Sequence, residues 1–269
     1  MSFLEAIVLG AVQGATEFIP VSSSGHLVIL HALFGEGSYD LSLDALLQLA
    51  TALAVLVYFR KEIFRLVFSF FRLLARREVE AGESRLLGAL FLGTIPAVVL
   101  GLLLEDKMET VFRSVNLVAL MLLAGSLLMF LAEKSQGPTL TTNQGRTLNS
   151  RKGFLIGLFQ ALALIPGVSR SGATISGGLF MGLSREEATR FSFLLSFPII
   201  AGSGLKKLFE LNSAGVLEGF GMPLAISLIV SFLVGLWAID FLLKYLKNHT
   251  LNLFVAYRIA LAVTILLIS

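Results

Sequence analysis

Residues 10–26 read Gly10-Ala-Val-Gln13-Gly-Ala-Thr-Glu17-Phe-Ile-Pro20-Val-Ser22-Ser23-Ser24-Gly25-His26, and residues 157–174 read Gly157-Leu-Phe-Gln160-Ala-Leu-Ala-Leu-Ile-Pro166-Gly-Val-Ser169-Arg170-Ser171-Gly172-Ala-Thr174. The second stretch repeats the first. Gly10 and Gln13 fall opposite Gly157 and Gln160, and Ser22, Ser24 and Gly25 opposite Ser169, Ser171 and Gly172, all at an offset of 147 (157 minus 10). The Ile-Pro pairs are offset by 146 (165 minus 19), which puts a one-residue gap inside a turn, where irregular backbone accepts it. Further on, Arg60-Lys61 falls opposite Lys206-Lys207, so an internal duplication is the simplest account. Each motif breaks a larger apolar block, residues 3–35 and 153–183, into two arms of about 10 to 14 residues. A membrane-spanning helix needs about 20, so each block reads as a re-entrant helical hairpin.

The rest of the chain gives these hairpins their setting. Of its residues 56% are hydrophobic and only 14% charged, against about 25% charged in a soluble domain. Residues 44–59, 86–104, 114–132, 191–208, 222–243 and 251–269 read as spanning helices. Three of these spans separate the two hairpins, an odd number, so the second hairpin enters the membrane from the face opposite the first. The expected fold is an all-α polytopic membrane protein with an inverted-topology repeat: about six spanning helices plus two re-entrant helical hairpins. It forms one transmembrane domain over 1–269, with internal repeats near 1–133 and 150–269. In such an architecture the broken helices meet near the midplane, where helix ends and unwound backbone bind charged groups.

With no cysteine there is no disulfide framework, thiolate metal site or cysteine nucleophile. A net charge of +3 gives no reason to expect nucleic acid as a partner, and its placement matters more than its sum. The opening MSFLEAIVLG lacks a basic region and a cleavage site and reads as mature protein. Residues 60–85 carry Arg60, Lys61, Arg65, Arg72, Arg76, Arg77 and Arg85, and residues 133–152 carry Lys134, Arg146, Arg151 and Lys152. Both segments are therefore expected in the cytoplasm and both termini outside; Lys206 and Lys207 oppose that rule but are outnumbered. Lys61, Arg65, Ser69, Arg72 and Arg76 recur at helical spacing opposite Ile63, Phe64, Val67, Phe70, Phe71 and Leu74. That pattern suits an amphipathic helix on an anionic leaflet, with a solvated loop helix as the alternative.

Charge inside a membrane costs at least about 2.5 to 3.5 kcal/mol at a helix centre, so Glu17 and Arg170 each require a partner or a ligand. A structural ion pair joining the hairpins is one use for them. The neighbouring residues suggest another. Ser22, Ser23, Ser24 and His26 facing Ser169, Arg170 and Ser171 offer hydroxyls, N–H groups at helix starts, a guanidinium and an imidazole, which are the donors an oxyanion needs. Gln13 and Glu17 are four apart, on one helix face, where two oxygens can hold a divalent cation against a phosphate; for Gln13 a buried amide satisfying backbone is the alternative. His26 is a candidate for proton transfer, or a core histidine. Gly153-x-x-x-Gly157 and Gly178-x-x-x-Gly182 are read as close helix packing. Arg258 snorkels, pairs or reaches the cavity, and Glu5, His31, Glu105, Asp240 and His249 are read as interfacial.

The stretch from Gln13 to His26 resembles the glutamate-rich first motif of the undecaprenyl-diphosphate phosphatase (bacitracin-resistance) family, and Pro166-Gly-Val-Ser-Arg-Ser-Gly-Ala-Thr174 is similar to its second motif. The resemblance runs the full length of the chain. It implies a bacterial plasma-membrane enzyme, its site facing the periplasm, that removes the terminal phosphate of undecaprenyl diphosphate and recycles the lipid carrier of cell-wall synthesis with a divalent cation, Mg2+ or Ca2+. Its implied partners are a long-chain isoprenyl diphosphate and membrane lipids, with a homodimer left open. By the same resemblance Glu17 binds metal or acts as base, Ser23 is the nucleophile, His26 handles protons and Arg170 clamps the phosphates. Ser22, Ser24, Ser169, Ser171 and Thr174 support the substrate. Where the family motif begins with Glu or Gln this chain has Gln13, which removes one negative charge from the implied metal site. A second class of function is a transporter or flippase for isoprenyl (di)phosphate lipids, because inverted repeats are a carrier architecture. A carrier needs Arg170 and the donors but has no use for Ser23 together with His26.

Overall fold

The computed structural model describes residues 1–34, 41–104, 114–136, 148–215 and 221–268; Glu105, Arg146 and Ser269 lie outside the described residues. These residues form eleven helices and no strand. The first hairpin is α1 (Phe3–Phe18) and α2 (Ser23–Phe34), followed by α3 (Leu41–Tyr58), α4 (Arg60–Leu74), α5 (Ala81–Leu103) and α6 (Val115–Ser135). The second hairpin is α7 (Ser150–Leu162) and α8 (Arg170–Phe180), followed by α9 (Arg185–Ser213), α10 (Gly221–Tyr245) and α11 (Asn252–Ile268).

Each of the six long apolar blocks is a helix. Four of these helices, α5, α6, α9 and α10, are long and apolar enough to cross a membrane, or up to five spans if α3 and α4 count as one broken unit; α11 is apolar but shorter. Phe91, Leu103, Leu127, Leu233 and Trp237 stand exposed on them, a surface that hydrocarbon solvates and water does not. The protein is a polytopic helical membrane protein. Polar residues start the helices: Ser2 with Glu5, and Ser184 with Glu187, close capping boxes at α1 and α9, and Asn149 caps α7. Glu5 is thus a capping residue, while Asp240 is engaged by Tyr58 and Lys244.

Small residues let the hairpins sit directly on backbone. A Cβ at Gly10 or Gly14 would lie 2.4 or 2.5 Å from the carbonyl oxygen of Ser227 or Ser231, so α1 runs alongside α10 in the same direction. A Cβ at Gly153 or Gly157 would lie 2.3 or 2.2 Å from the carbonyl oxygen of Ala89 or Gly93, so α7 runs likewise with α5. This is the close packing expected of Gly153-x-x-x-Gly157. In the other glycine pair Gly178 packs against Ala188. Gly182 lies beyond the end of α8 with φ +81° and turns the chain toward α9, a conformation that favours glycine.

The directions of the helices follow from the same contacts. Thr174 bonds Ser192 and Gly178 meets Ala188, so α8 and α9 are antiparallel. Gly204 lies on Ala45 and Leu49, and Phe59 lies near Phe193, so α3 and α9 are antiparallel as well. Ser231 donates to the Leu47 carbonyl and Gly235 lies on Thr51 and Ala54, which makes α10 parallel to α3. It follows that α1 runs with α8, and that α1 and α7 approach each other head-on, their turns meeting against α6.

At Phe59 the chain bends by 84° into α4. Leu66 and Ser69 face the protein, the Ser69 hydroxyl donating to Glu83, while Phe64, Phe68, Phe71 and Leu74 remain exposed beside Lys61, Arg65 and Arg72. A water-solvated helix would not leave four such side chains uncovered, so the surface supports the interfacial reading of this segment. The other copy has no such bend, since α9 passes straight through Lys206-Lys207.

Candidate active site

Both turns are built by the same backbone device. Ser22 has φ +76° and Ser169 φ +74°, a strained region for a residue with a Cβ, at a cost of order 1 to 3 kcal/mol. Each serine is held there by its own side chain. Ser22 Oγ accepts from the Gly25 N–H at 3.3 Å and Ser169 Oγ from the Gly172 N–H at 3.2 Å; the Ser22–Ser24 hydroxyls lie 3.2 Å apart and the Ser169–Ser171 hydroxyls 3.3 Å apart. The strained serines start α2 and α8, so both helix N-termini lie at the turns. Ser24 Oγ accepts from the Gly167 N–H at 3.4 Å and ties one turn to the other.

Glu17 occupies the centre of that junction. One carboxylate oxygen, Oε2, accepts from Gln13 Nε2 at 2.9 Å and from the Ser23 hydroxyl at 2.8 Å, while Oε1 pairs with the Arg170 guanidinium across the turns. The charge that is expensive in a membrane is thereby neutralised and hydrogen-bonded. Glu17 and Gln13 are buried, whereas Ser23, Ser24, His26 and Arg170 are half-buried and line the accessible side. Ser23 has the geometry of a nucleophile with its base, a hydroxyl hydrogen already directed at a carboxylate oxygen.

The other expected residues divide. His26 does not reach Ser23: its Nδ1–H donates to the Ser22 carbonyl at 2.8 Å and its Nε2 pairs with the Tyr257 hydroxyl at 2.7 Å, with the two rings parallel to within 1°. Ser22, Ser169 and Ser171 are buried and shape the turns. Thr174 is fully buried one turn into α8, where its hydroxyl donates to the Arg170 carbonyl at 2.7 Å and bonds Ser192.

Arg258 does not snorkel, and among the described residues it pairs with no carboxylate. Fully buried, it donates to Ser126 Oγ at 3.1 Å and to the carbonyls of Leu122, Gly167, Val168 and Pro20 at 3.1, 2.9, 3.0 and 3.5 Å. One guanidinium thus gathers carbonyls from both turns and from α6. Tyr257, its neighbour in sequence, escaped the sequence reading because its partner lies 231 positions away.

The family model described as bacitracin resistance protein BacA matches residues 6–264. A protein of Myxococcus xanthus named undecaprenyl-diphosphatase is 45% identical over 269 residues, covering 100% of this chain and 89% of its own. Proteins of the same name from Elusimicrobium minutum and a Nocardioides species are 43% and 41% identical, covering 99% and 100% of this chain and 98% and 97% of their own. The matched region contains both hairpins, the Glu17–Ser23–Arg170 junction and the Arg258 tie, and the chain belongs to the bacitracin resistance protein BacA family.

Proposed function

We propose that this protein is an integral phosphatase of the bacterial plasma membrane that hydrolyses undecaprenyl diphosphate to undecaprenyl phosphate and inorganic phosphate, recycling the lipid carrier for cell-wall synthesis. The shared name of relatives that are 41–45% identical over their full overlap supports the substrate. The observation that carries the chemistry is the Ser23 hydroxyl donating to Glu17, whose other oxygen is held by Arg170 from the opposite hairpin.

In the mechanism this supports, Arg170 exchanges the Glu17 carboxylate for the incoming terminal phosphate, which frees Glu17 to act as base. Ser23 Oγ attacks the terminal phosphorus, its proton passes to Glu17, and the bond from phosphorus to the bridging oxygen breaks. Glu17 returns that proton to the departing lipid phosphate. Water then attacks the phosphoserine, Glu17 takes its proton and passes it to Ser23 Oγ, and inorganic phosphate leaves. The Ser24 hydroxyl and the N–H groups of the two helix starts are placed to bind the equatorial oxygens. His26, fixed by Ser22 and Tyr257, positions the first turn.

The residues fit a divalent cation. Gln13 Oε1 is buried and has no hydrogen-bond partner among the described residues, and its amide Nε2 bonds the Glu17 carboxylate. Among the described residues no group of three or more His, Asp or Glu could hold an ion by itself, and the side-chain oxygens of Gln13 and Glu17 are the donors that the junction offers. Gln13 and Glu17 would hold Mg2+ or Ca2+, which when bound supplies Lewis-acid neutralisation of the diphosphate charge.

The finer architecture belongs to the same reading: six spans and two re-entrant hairpins in inverted repeats near 1–133 and 150–269, within one domain. The head-on approach of α1 and α7 supports it. The arginine-rich α4–α5 region supports a cytoplasmic placement of that end; a site that opens to the outer side is what the family resemblance implies and belongs to the same proposal. A carrier would use Arg170 and the hydroxyl donors but not a hydroxyl poised on a carboxylate, which favours the enzyme. The test is phosphate release from a long-chain isoprenyl diphosphate in detergent, by wild type with and without EDTA and by Glu17→Gln. Release lost with EDTA and with Glu17→Gln is the expected result; release indifferent to both overturns the assignment.

A further inference from the structure

Beneath α4 lies an apolar groove that the catalytic reading does not use. One section, about 570 Å³, is bordered by Phe70 and Leu73 of α4, by Leu87, Phe91 and Val98 of α5, and by Pro198 of α9; an adjoining section of about 350 Å³ continues along α4. On α5 the lining runs from Leu87 to Val99. The twelve steps between them at about 1.5 Å each make roughly 18 Å, close to one leaflet of a hydrocarbon core about 30 Å thick. The 84° bend between α3 and α4 sets α4 across the end of this groove.

The mouth of the groove is charged. Arg72 ends α4, Arg76 and Arg77 follow it, and Arg85 stands in the first turns of α5 just before the lining begins. All four are exposed, and among the described residues none of them pairs with a carboxylate. Glu83 of the same corner is already taken by Ser69 and Arg65. Four arginines against Glu78 and Glu80 leave an excess of two positive charges beside an apolar slot one leaflet deep. Each arginine near an anionic lipid surface is worth about a fivefold preference.

We infer that the α4–α5 corner is a binding site for one anionic phospholipid of the adjacent leaflet, its phosphate on Arg76, Arg77 and Arg85 and an acyl chain in the groove toward Pro198. An undecaprenyl tail is far longer than one leaflet, and the proposed catalytic junction lies at the hairpin turns, so the groove is matched to a membrane phospholipid rather than to the substrate.

The experiment is native mass spectrometry of the purified full chain from bilayer discs of phosphatidylcholine doped with phosphatidylglycerol. The expected result is one retained phosphatidylglycerol per chain. Its retention should fall at least tenfold in the triple variant Arg76→Gln, Arg77→Gln, Arg85→Gln, and be lost in Val98→Trp, which fills the groove from its exposed side. Equal retention of phosphatidylcholine and phosphatidylglycerol, or retention unchanged by the arginine variant, overturns the proposal. Displacement of the retained lipid by an isoprenyl phosphate overturns it too and gives the groove to a substrate tail. Lipid retention is read without turnover, so this outcome is separate from that of the phosphatase test.

Discussion

The two hairpins share a backbone and divide the chemistry. Each is broken at the same place, each puts a serine at φ near +75°, and each caps its second arm with that serine and a second hydroxyl two residues on. The side chains then diverge. Where the first hairpin has Glu17 the offset of 147 gives Leu164, and where it has Ser23 the second has Arg170. In the proposed reading, duplication provided two copies of one oxyanion-binding turn, and substitution made one acidic and nucleophilic, the other cationic. Each half carries one member of the Glu17–Arg170 ion pair, so each neutralises the charge of the other inside the membrane.

The largest expected effect comes from breaking that division. Arg170→Ala leaves the Glu17 carboxylate buried and uncompensated, which costs about 3 to 5 kcal/mol of stability, and it also removes the phosphate clamp. Phosphate release should fall by about 10³-fold. Exchanging the charges, Glu17→Arg with Arg170→Glu, should restore much of the thermal stability while turnover stays down, because Ser23 then faces a cation. Recovery of turnover in the exchanged protein would show that the pair is only a structural link. Ser23→Ala should reduce turnover as strongly as Arg170→Ala while leaving the melting temperature within a few degrees of wild type.

A second break targets what holds the turns together. A Cβ at Gly125 would lie 2.3 Å from the Arg258 guanidinium and 2.5 Å from the Val168 carbonyl oxygen. Gly125→Ala should therefore cost about 1 to 3 kcal/mol as an overpacked core. Arg258→Met should cost more than Gly125→Ala, since it deprives carbonyls of both turns of their buried donor. A thermal melt in detergent checks both; a loss confined to activity would make Arg258 part of the chemistry instead of the scaffold.

Much of this was legible in the sequence, for identifiable reasons. The hairpin breaks were visible because Pro, Ser and Gly interrupt apolar runs, and the pairing of Glu17 with Arg170 because lone charges in lipid demand each other. The break at Phe59 was visible too, because the clean apolar span 44–59 gives way to basic residues at helical spacing from Lys61 to Arg76; the 84° angle itself was not legible, since packing sets it. His26 reads from the sequence as a candidate for proton transfer or a core histidine, but its partner was not legible there: the helix beginning at Ser23 turns the imidazole toward Tyr257, a residue from the far end of the chain. Arg258 could not be resolved for the same reason, since its carbonyl partners lie on three separate segments.

A finer comparison is between the two capping serines. Ser22→Ala and Ser169→Ala remove hydrogen bonds of nearly equal length, 3.3 and 3.2 Å, from residues of nearly equal φ. Each should cost about 1 kcal/mol, the ordinary worth of a helix N-cap. Unequal losses in a denaturation series would show that the two turns are alike in shape but not in strain.

The smallest expected effect is the most discriminating. Gln13 and Gln160 are equivalent in the repeat, both buried, and both hold amide atoms without partners: Oε1 in Gln13, and Oε1 and Nε2 in Gln160. An orphaned buried amide is destabilising unless something uses it. If Gln13 is retained to hold a cation beside Glu17, Gln13→Met should raise the Mg2+ concentration needed for half-maximal phosphate release by about tenfold or more. Gln160 has no carboxylate one turn on, Leu164 standing there, so Gln160→Met should change neither the cation requirement nor turnover and should leave stability equal or raised by up to about 1 kcal/mol. A stability loss of about 2 kcal/mol or more in Gln160→Met would mean that the second hairpin also binds something through its amide, and the division of chemistry between the hairpins would then be incomplete.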